Sequence, residues 1–128
     1  MLVKNDNEEN VGFAGGCNIG IRYALQDSEC SHVWLLNNDT VVDPYALEEM
    51  INKCQLNSNI SICGSQVRYY QHPDKIQTFG GKLNQLFCTT HTLYGEHKCE
   101  EITAEPQNID FVPGASMHLL THKSELSL

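Results

Sequence analysis

The stretch His32-Val33-Trp34-Leu35-Leu36-Asn37-Asn38-Asp39-Thr40-Val41-Val42-Asp43-Pro44 decides how this chain is read. Its first five residues are a largely apolar run, too short for a good helix and closed by Asn37-Asn38-Asp39. A strand buried on both faces of a parallel sheet looks like this, so it is expected to be central. Asp43-Pro44 then signals a helix start, because aspartate can accept from the orphan amides of a first turn and proline has no amide to leave unpaired there. Leu47, Met50, Ile51 and Cys54 supply one apolar stripe. Glu48 and Glu49 sit in the early turns, where the helix dipole favours negative charge, and Asn57-Ser58-Asn59 ends the element. Ile60 to Val67 resumes as a strand.

Working outward, Gly15 opens an earlier helix in which Cys17, Ile21, Ala24 and Leu25 recur at helical spacing. Leu2-Val3-Lys4 is a short strand candidate before it. Two strand-helix-strand crossovers imply a parallel sheet with right-handed connections. Past Tyr70 the signals weaken: turns at Gln71-His72-Pro73-Asp74 and Gly80-Gly81 leave irregular chain or short antiparallel strands up to Pro106. Ile109 to Val112 reads as a brief strand stopped by Pro113-Gly114, and Ala115 to Leu120 as a further strand or helix.

The chain has 128 residues, enough for one domain or part of a larger one. Eight Lys+Arg against 16 Asp+Glu give a net charge of −8, which argues against affinity for nucleic-acid phosphates or anionic lipid. An anionic ligand would need a cation. No run reaches the roughly 20 apolar residues of a membrane span, and Met1 to Asp6 lacks the apolar stretch of a secretory signal, so a cytoplasmic location is expected. Cys17, Cys30, Cys54, Cys63, Cys88 and Cys99 form no Cys-x-x-Cys pair and read as reduced thiols packed as small hydrophobes.

Three segments carry chemistry. In open parallel sheets ligands bind beyond the carboxyl ends of the strands, where Asn37-Asn38-Asp39 would lie. Mg²⁺ or Mn²⁺ takes oxygen ligands, often one or two carboxylates plus substrate phosphates, so Asp39 could hold a metal that bridges to a diphosphate. The plain alternative is a turn after a strand. Asn10-Val11-Gly12-Phe13-Ala14-Gly15-Gly16-Cys17-Asn18-Ile19-Gly20 is glycine-rich and leads into a helix, whose amides attract anions. It is neither the dinucleotide fingerprint nor a Walker loop. Gly20 is expected to permit close helix-sheet packing and Phe13 to pack. Asp110-Phe111-Val112-Pro113-Gly114-Ala115-Ser116 is a third apolar piece ending in a turn. Ser116 lacks a defensible triad or nucleophile elbow, and the six histidines show no ligand spacing and receive no role.

In this order, the glycine-rich run, the Trp34 to Pro44 run, Ile76-Gln77-Thr78-Phe79-Gly80-Gly81 and Asp110 to Met117 resemble the family 2 glycosyltransferases, specifically the rhamnosyltransferase-like branch of bacterial polysaccharide assembly. The resemblance spans about Asn5 to Leu120. It implies a GT-A fold: a Rossmann-like α/β three-layer sandwich with a mostly parallel central sheet, here residues 1–128 as a single-domain piece of the catalytic domain. It implies an inverting transfer from a dTDP- or UDP-sugar to a saccharide or lipid-linked acceptor. Asn37-Asn38-Asp39 stands in the place of the family's Asp-x-Asp motif, with Asp39 the metal ligand for Mg²⁺ or Mn²⁺. Asn10, Gly12, Gly15, Asn18, Asn37 and Asn38 would lie at the donor, and Gly114, Ala115 and Ser116 at the transferred sugar or acceptor. The family's leading Asp-x-x-Ser-x-Asp segment and trailing Phe-Asp-Glu and Glu-Asp segments, the last supplying the general base, find no match here. The chain alone is therefore expected to transfer little sugar, and in the parent the site would be cytoplasmic or peripheral at the inner membrane face. The competing expectations are a remnant that only binds metal and nucleotide or dimerises through an exposed sheet edge, and a nicotinamide-binding fragment, disfavoured by the absent fingerprint.

Overall fold

The computed structural model describes residues 10–103 and 109–121; the Leu2-Val3-Lys4 strand candidate lies outside them. The first helix, α1, runs Gly12–Ala24, three residues earlier than the spacing predicts. The Asn10 side chain explains the early start: its Oδ1 accepts from the Gly12 amide at 3.0 Å, and Gly12 takes φ +73°, which glycine tolerates. Cys17, Ile21, Ala24 and Leu25 do fall on the less exposed face. Phe13, expected to pack, is 61% exposed.

Strand β1 is His32–Leu36, and α2 is Ala46–Leu56. The helix starts later than the Asp43-Pro44 signal suggests, with Tyr45 and not Asp43 at its N-cap: Asp43, three residues before Ala46, braces the preceding turn, its Oδ1 accepting from the Tyr45 amide at 2.9 Å and its carbonyl from the Ala46 amide. Met50 and Cys54 are buried, Ile51 is half-buried, and Leu47 is left exposed. Asn57 closes the helix, its Oδ1 and carbonyl accepting from Asn59 and Ile60.

The predicted strand over Ile60 to Val67 is two strands, β2 (Ile62–Gly64) and β3 (Val67–Arg68). The chain changes sheets between them, because the Ser65 amide donates to the Ser116 carbonyl while Val67 pairs with Thr78 of β4 (Ile76–Thr78). The segment left open by the sequence holds β4 and the hairpin of β5 (Gly81–Asn84) and β6 (Thr89–Thr92), both in antiparallel pairs. Ile109 to Val112 makes one bridge, Phe111 to Gly81, instead of a strand. Ala115 to Leu120 resolves as strand β7, Ser116–Leu120.

The main sheet has the order β1-β7-β2. Asn37 N–H donates to Ala115 at one end and Thr121 N–H to Ser31 at the other, so β1 and β7 are antiparallel. β7 also pairs antiparallel with β2, Ile62 opposite Leu119 and Gly64 opposite Met117. This corrects two expectations. β1 and β2 do point the same way, as a crossover through α2 requires, but neighbouring strands among the described residues are antiparallel. β7, not β1, lies in the middle. A strand contributed from fifty residues downstream leaves no mark on the periodicity of the crossover it enters.

Helix α2 lies against this sheet. Cys54 Sγ is 3.6 Å from Nδ1 of the fully buried His118, and burial pushes the Cys54 thiol up, partly offset by a hydrogen bond with Cys63. None of the six cysteines forms a disulfide, yet only Cys54 is buried, four are half-buried and Cys88 is exposed, which corrects their reading as buried hydrophobes. The chain divides into two compact units, Met1–Val33 with Leu120–Leu128, and Trp34–Leu119.

Candidate functional site

Within the unit Trp34–Leu119, the directions of the strands bring three chain segments to one edge of the sheet. β1 and β2 end there and β7 begins there. The Asn37 amide donates to the Ala115 carbonyl at 3.0 Å, and the Ser65 amide to the Ser116 carbonyl at 3.4 Å. Trp34 Nε1 donates to Ser116 Oγ at 3.0 Å. Asn37-Asn38-Asp39 and Gly114-Ala115-Ser116, far apart in the chain, are thus neighbours.

Asn37 to Thr40 forms a tight turn, with the Thr40 amide and hydroxyl both donating to the Asn37 carbonyl. The turn expected as the plain alternative is therefore present. Such a turn carries its middle residues at the corner, and Asn38 and Asp39 there are exposed, as is Asn37. No group of three or more His, Cys, Asp or Glu among the described residues could hold a metal ion. Asp39 therefore fits a cation only as part of a set completed by other oxygens, which is how Mg²⁺ is held when substrate phosphates and water fill the remaining positions.

The opposite wall is tightly packed. A Cβ on Gly64 would meet Val112 Cβ at 2.8 Å and Pro113 Cδ at 3.1 Å, so the glycine lets the segment before Gly114 lie directly on β2. Ser116 is 6% exposed with its hydroxyl held by Trp34, so at this edge it acts as a clamp between β1 and β7. Gly114 and Ala115 are the half-buried residues that reach the rim. Sequence reasoning missed Ser65, because the strand was read through it; Gly64-Ser65 inside a short apolar run was the available signal.

The glycine-rich run belongs to the other unit. Asn10, Gly12 and Asn18 are exposed and Gly15 is half-buried. A Cβ on Gly15 would meet Val11 Cβ at 3.0 Å, a local contact that accounts for this glycine. A Cβ on Gly20 meets nothing within 4 Å, so the expected close packing at Gly20 is not found.

Compared with known proteins, the chain matches the family model for Glycosyl transferase family 2 over residues 5–103. That span includes Asn10 to Asp39 and ends before Asp110, leaving the Gly114-Ala115-Ser116 segment outside it. No curated protein and no solved structure matches. No helix among the described residues is long and apolar enough to cross a membrane.

Proposed function

The chain belongs to glycosyl transferase family 2, whose domain implies a GT-A fold, a nucleotide-sugar donor and an acceptor. We propose that the edge built by Asn37-Asn38-Asp39, Ser65 and Gly114-Ala115 is the donor end of a rhamnosyltransferase-like site. It would take a dTDP- or UDP-sugar and serve an inverting transfer to a saccharide or lipid-linked acceptor in bacterial surface polysaccharide synthesis. The observation that supports this is the Asn37 to Ala115 hydrogen bond, which sets Asn37-Asn38-Asp39, the stretch that resembles the family's metal motif, beside a glycine-containing rim where a sugar could approach backbone closely.

Asp39 would hold Mg²⁺ or Mn²⁺ jointly with the donor's diphosphate. Bound there, the cation would supply Lewis-acid neutralisation of the charge left on the departing nucleoside diphosphate. Asn37 and Asn38 bring carboxamides, which can both donate and accept and so suit sugar hydroxyls or phosphate oxygens. Asn10, Gly12, Gly15 and Asn18 are assigned to the nucleotide on the resemblance alone.

Calorimetry with Mn²⁺ and UDP or dTDP tests this. Heat that requires metal and nucleotide together and vanishes in Asp39→Ala is expected. No heat from the unmodified chain, or equal heat from the variant, overturns it. A second reading is binding without transfer. Asp39 is the only acid among the residues assigned to the site from the resemblance, whereas an inverting displacement needs another carboxylate or an equivalent base to deprotonate the acceptor. Nucleotide binding without turnover when acceptor is added would select that reading.

A further inference from the structure

The β5–β6 hairpin carries a group of exposed apolar side chains that the site does not use. Its residues from Leu83 to Thr92 are all exposed, and the turn between the strands carries Leu86 at 83% and Phe87 at 71% exposure, with Leu83 at 46% beneath them. Large apolar side chains that lie next to one another at a hairpin tip form a contiguous exposed patch, the kind that marks an interaction surface. The surrounding charge is equally unusual. In a chain of net charge −8, no Asp or Glu occurs from Lys75 through Gly95. At the root, Lys82 is paired with Asp110 at 3.5 Å, and Asp110 Oδ2 accepts from the Leu83 amide at 2.8 Å. The tip is therefore uncharged and braced from behind.

We propose that Leu83, Leu86 and Phe87 seat the protein in the uncharged interface of a lipid bilayer. Area decides between a membrane and a second copy of the chain. Three such side chains offer on the order of 400 Å², whereas a specific protein interface needs about 800 Å² from each partner with a complementary surface opposite. A bilayer interface needs no complementary shape, and binding there scales with the apolar area buried. The chain's overall negative charge selects against anionic headgroups, so insertion and not electrostatics drives the contact. The inference is independent of the donor-site reading, because its readout is partition and not transfer.

The test is sedimentation of the full chain with phosphatidylcholine vesicles at low and high salt. Binding that is insensitive to salt is expected, falling at least about tenfold in Leu86→Asp/Phe87→Asp. Because both positions are exposed, the double variant should keep its circular dichroism. If it does not, Phe87→Trp serves instead, its emission shifting blue on vesicles beyond the Trp34 background and being quenched by brominated lipid. The proposal is overturned if the unmodified chain stays in the supernatant, if the double variant binds equally, or if vesicles leave the emission of the Phe87→Trp variant unmoved. Binding confined to anionic vesicles and lost in salt also overturns it, as does a hairpin-dependent dimer in analytical ultracentrifugation without vesicle binding.

Discussion

Gly64→Ala should destabilise the unit that holds the site, although it adds one methyl group. Gly64 has no left-handed backbone to defend, so the cost is steric only. The new Cβ would stand 2.8 Å from Val112 Cβ, and ordinary contact begins at 3.4 Å, so the two segments must separate by at least 0.6 Å. Neither neighbour yields easily: Val112 is β-branched and stiff about χ1, and the Pro113 ring, 3.1 Å away, is fixed to its own backbone. The separation has to come from the main chain. It would stretch the Ser65 to Ser116 hydrogen bond, already 3.4 Å, and disturb the Gly64 to Met117 register. Overpacking of this kind costs about 1–3 kcal/mol. For a chain of this size each kcal/mol lowers Tm by roughly 3–6 °C, and the same shift should weaken any nucleotide binding at the Asn37 to Asp39 turn. Chemical denaturation of the two proteins measures it. A Gly64→Ala variant as stable as the unmodified chain would refute the packing argument and with it the account of how the Gly114 segment is positioned.

Other substitutions have different signs and sizes. Gly20→Ala, in a helix interior with nothing within 4 Å of the new Cβ, should raise stability by about 0.5–1 kcal/mol in the same assay. Ile76→Ala removes a side chain with no exposed surface and should cost about 2–5 kcal/mol. Trp34→Phe takes the donor from the buried Ser116 hydroxyl and should cost about 1–3 kcal/mol, with Ser116→Ala in the same background recovering part of it. The Leu83 amide and the Lys82 ammonium hold the Asp110 carboxyl below its ordinary 3.8. The brace it gives the hairpin is therefore complete above that value and lost as pH falls through the lower folded one. The Leu83 amide shift in NMR should titrate with a midpoint below 3.8, and a midpoint at or above it would contradict the bond.

Much of the local structure is legible because local rules decide it. The stripe Met50, Ile51 and Cys54, the Asp43 start and the Asn57 stop place α2 within a few residues, and the apolar run from His32 to Leu36 is β1. Where tertiary contacts decide, the reading drifts. Ile60 to Val67 has the composition of one strand, and only the Ser65 to Ser116 bond and the pairing of Val67 with Thr78 break it in two. His118 shows no ligand spacing, and its complete burial against Cys54 follows from β7 lying beneath α2, which no window of sequence around it encodes.

The direction of β7 ties the site to the antiparallel pairing of the described sheet. The sequence reading expected a mostly parallel sheet, with Asn37-Asn38-Asp39 at the donor and Gly114-Ala115-Ser116 at the sugar or acceptor; a strand beside β1 brings those two segments together only if it runs antiparallel. Gly114 to Ser116 precedes β7, whereas Asn37 to Asp39 follows β1. Had β7 run parallel to β1, its trailing end at Leu120 would have met Asn37, and the glycine segment would have lain at the far edge beside Ser31. Reversal puts Ala115 within hydrogen-bond reach of Asn37 and sends Thr121 to Ser31 instead. It also sets the start of β7 against the end of β2, where Gly64 lets Val112 and Pro113 close in. The antiparallel insertion is therefore what assembles this edge from three distant segments. Any change that displaces β7 should remove the proposed nucleotide binding even with Asp39 intact, which the same calorimetry would read.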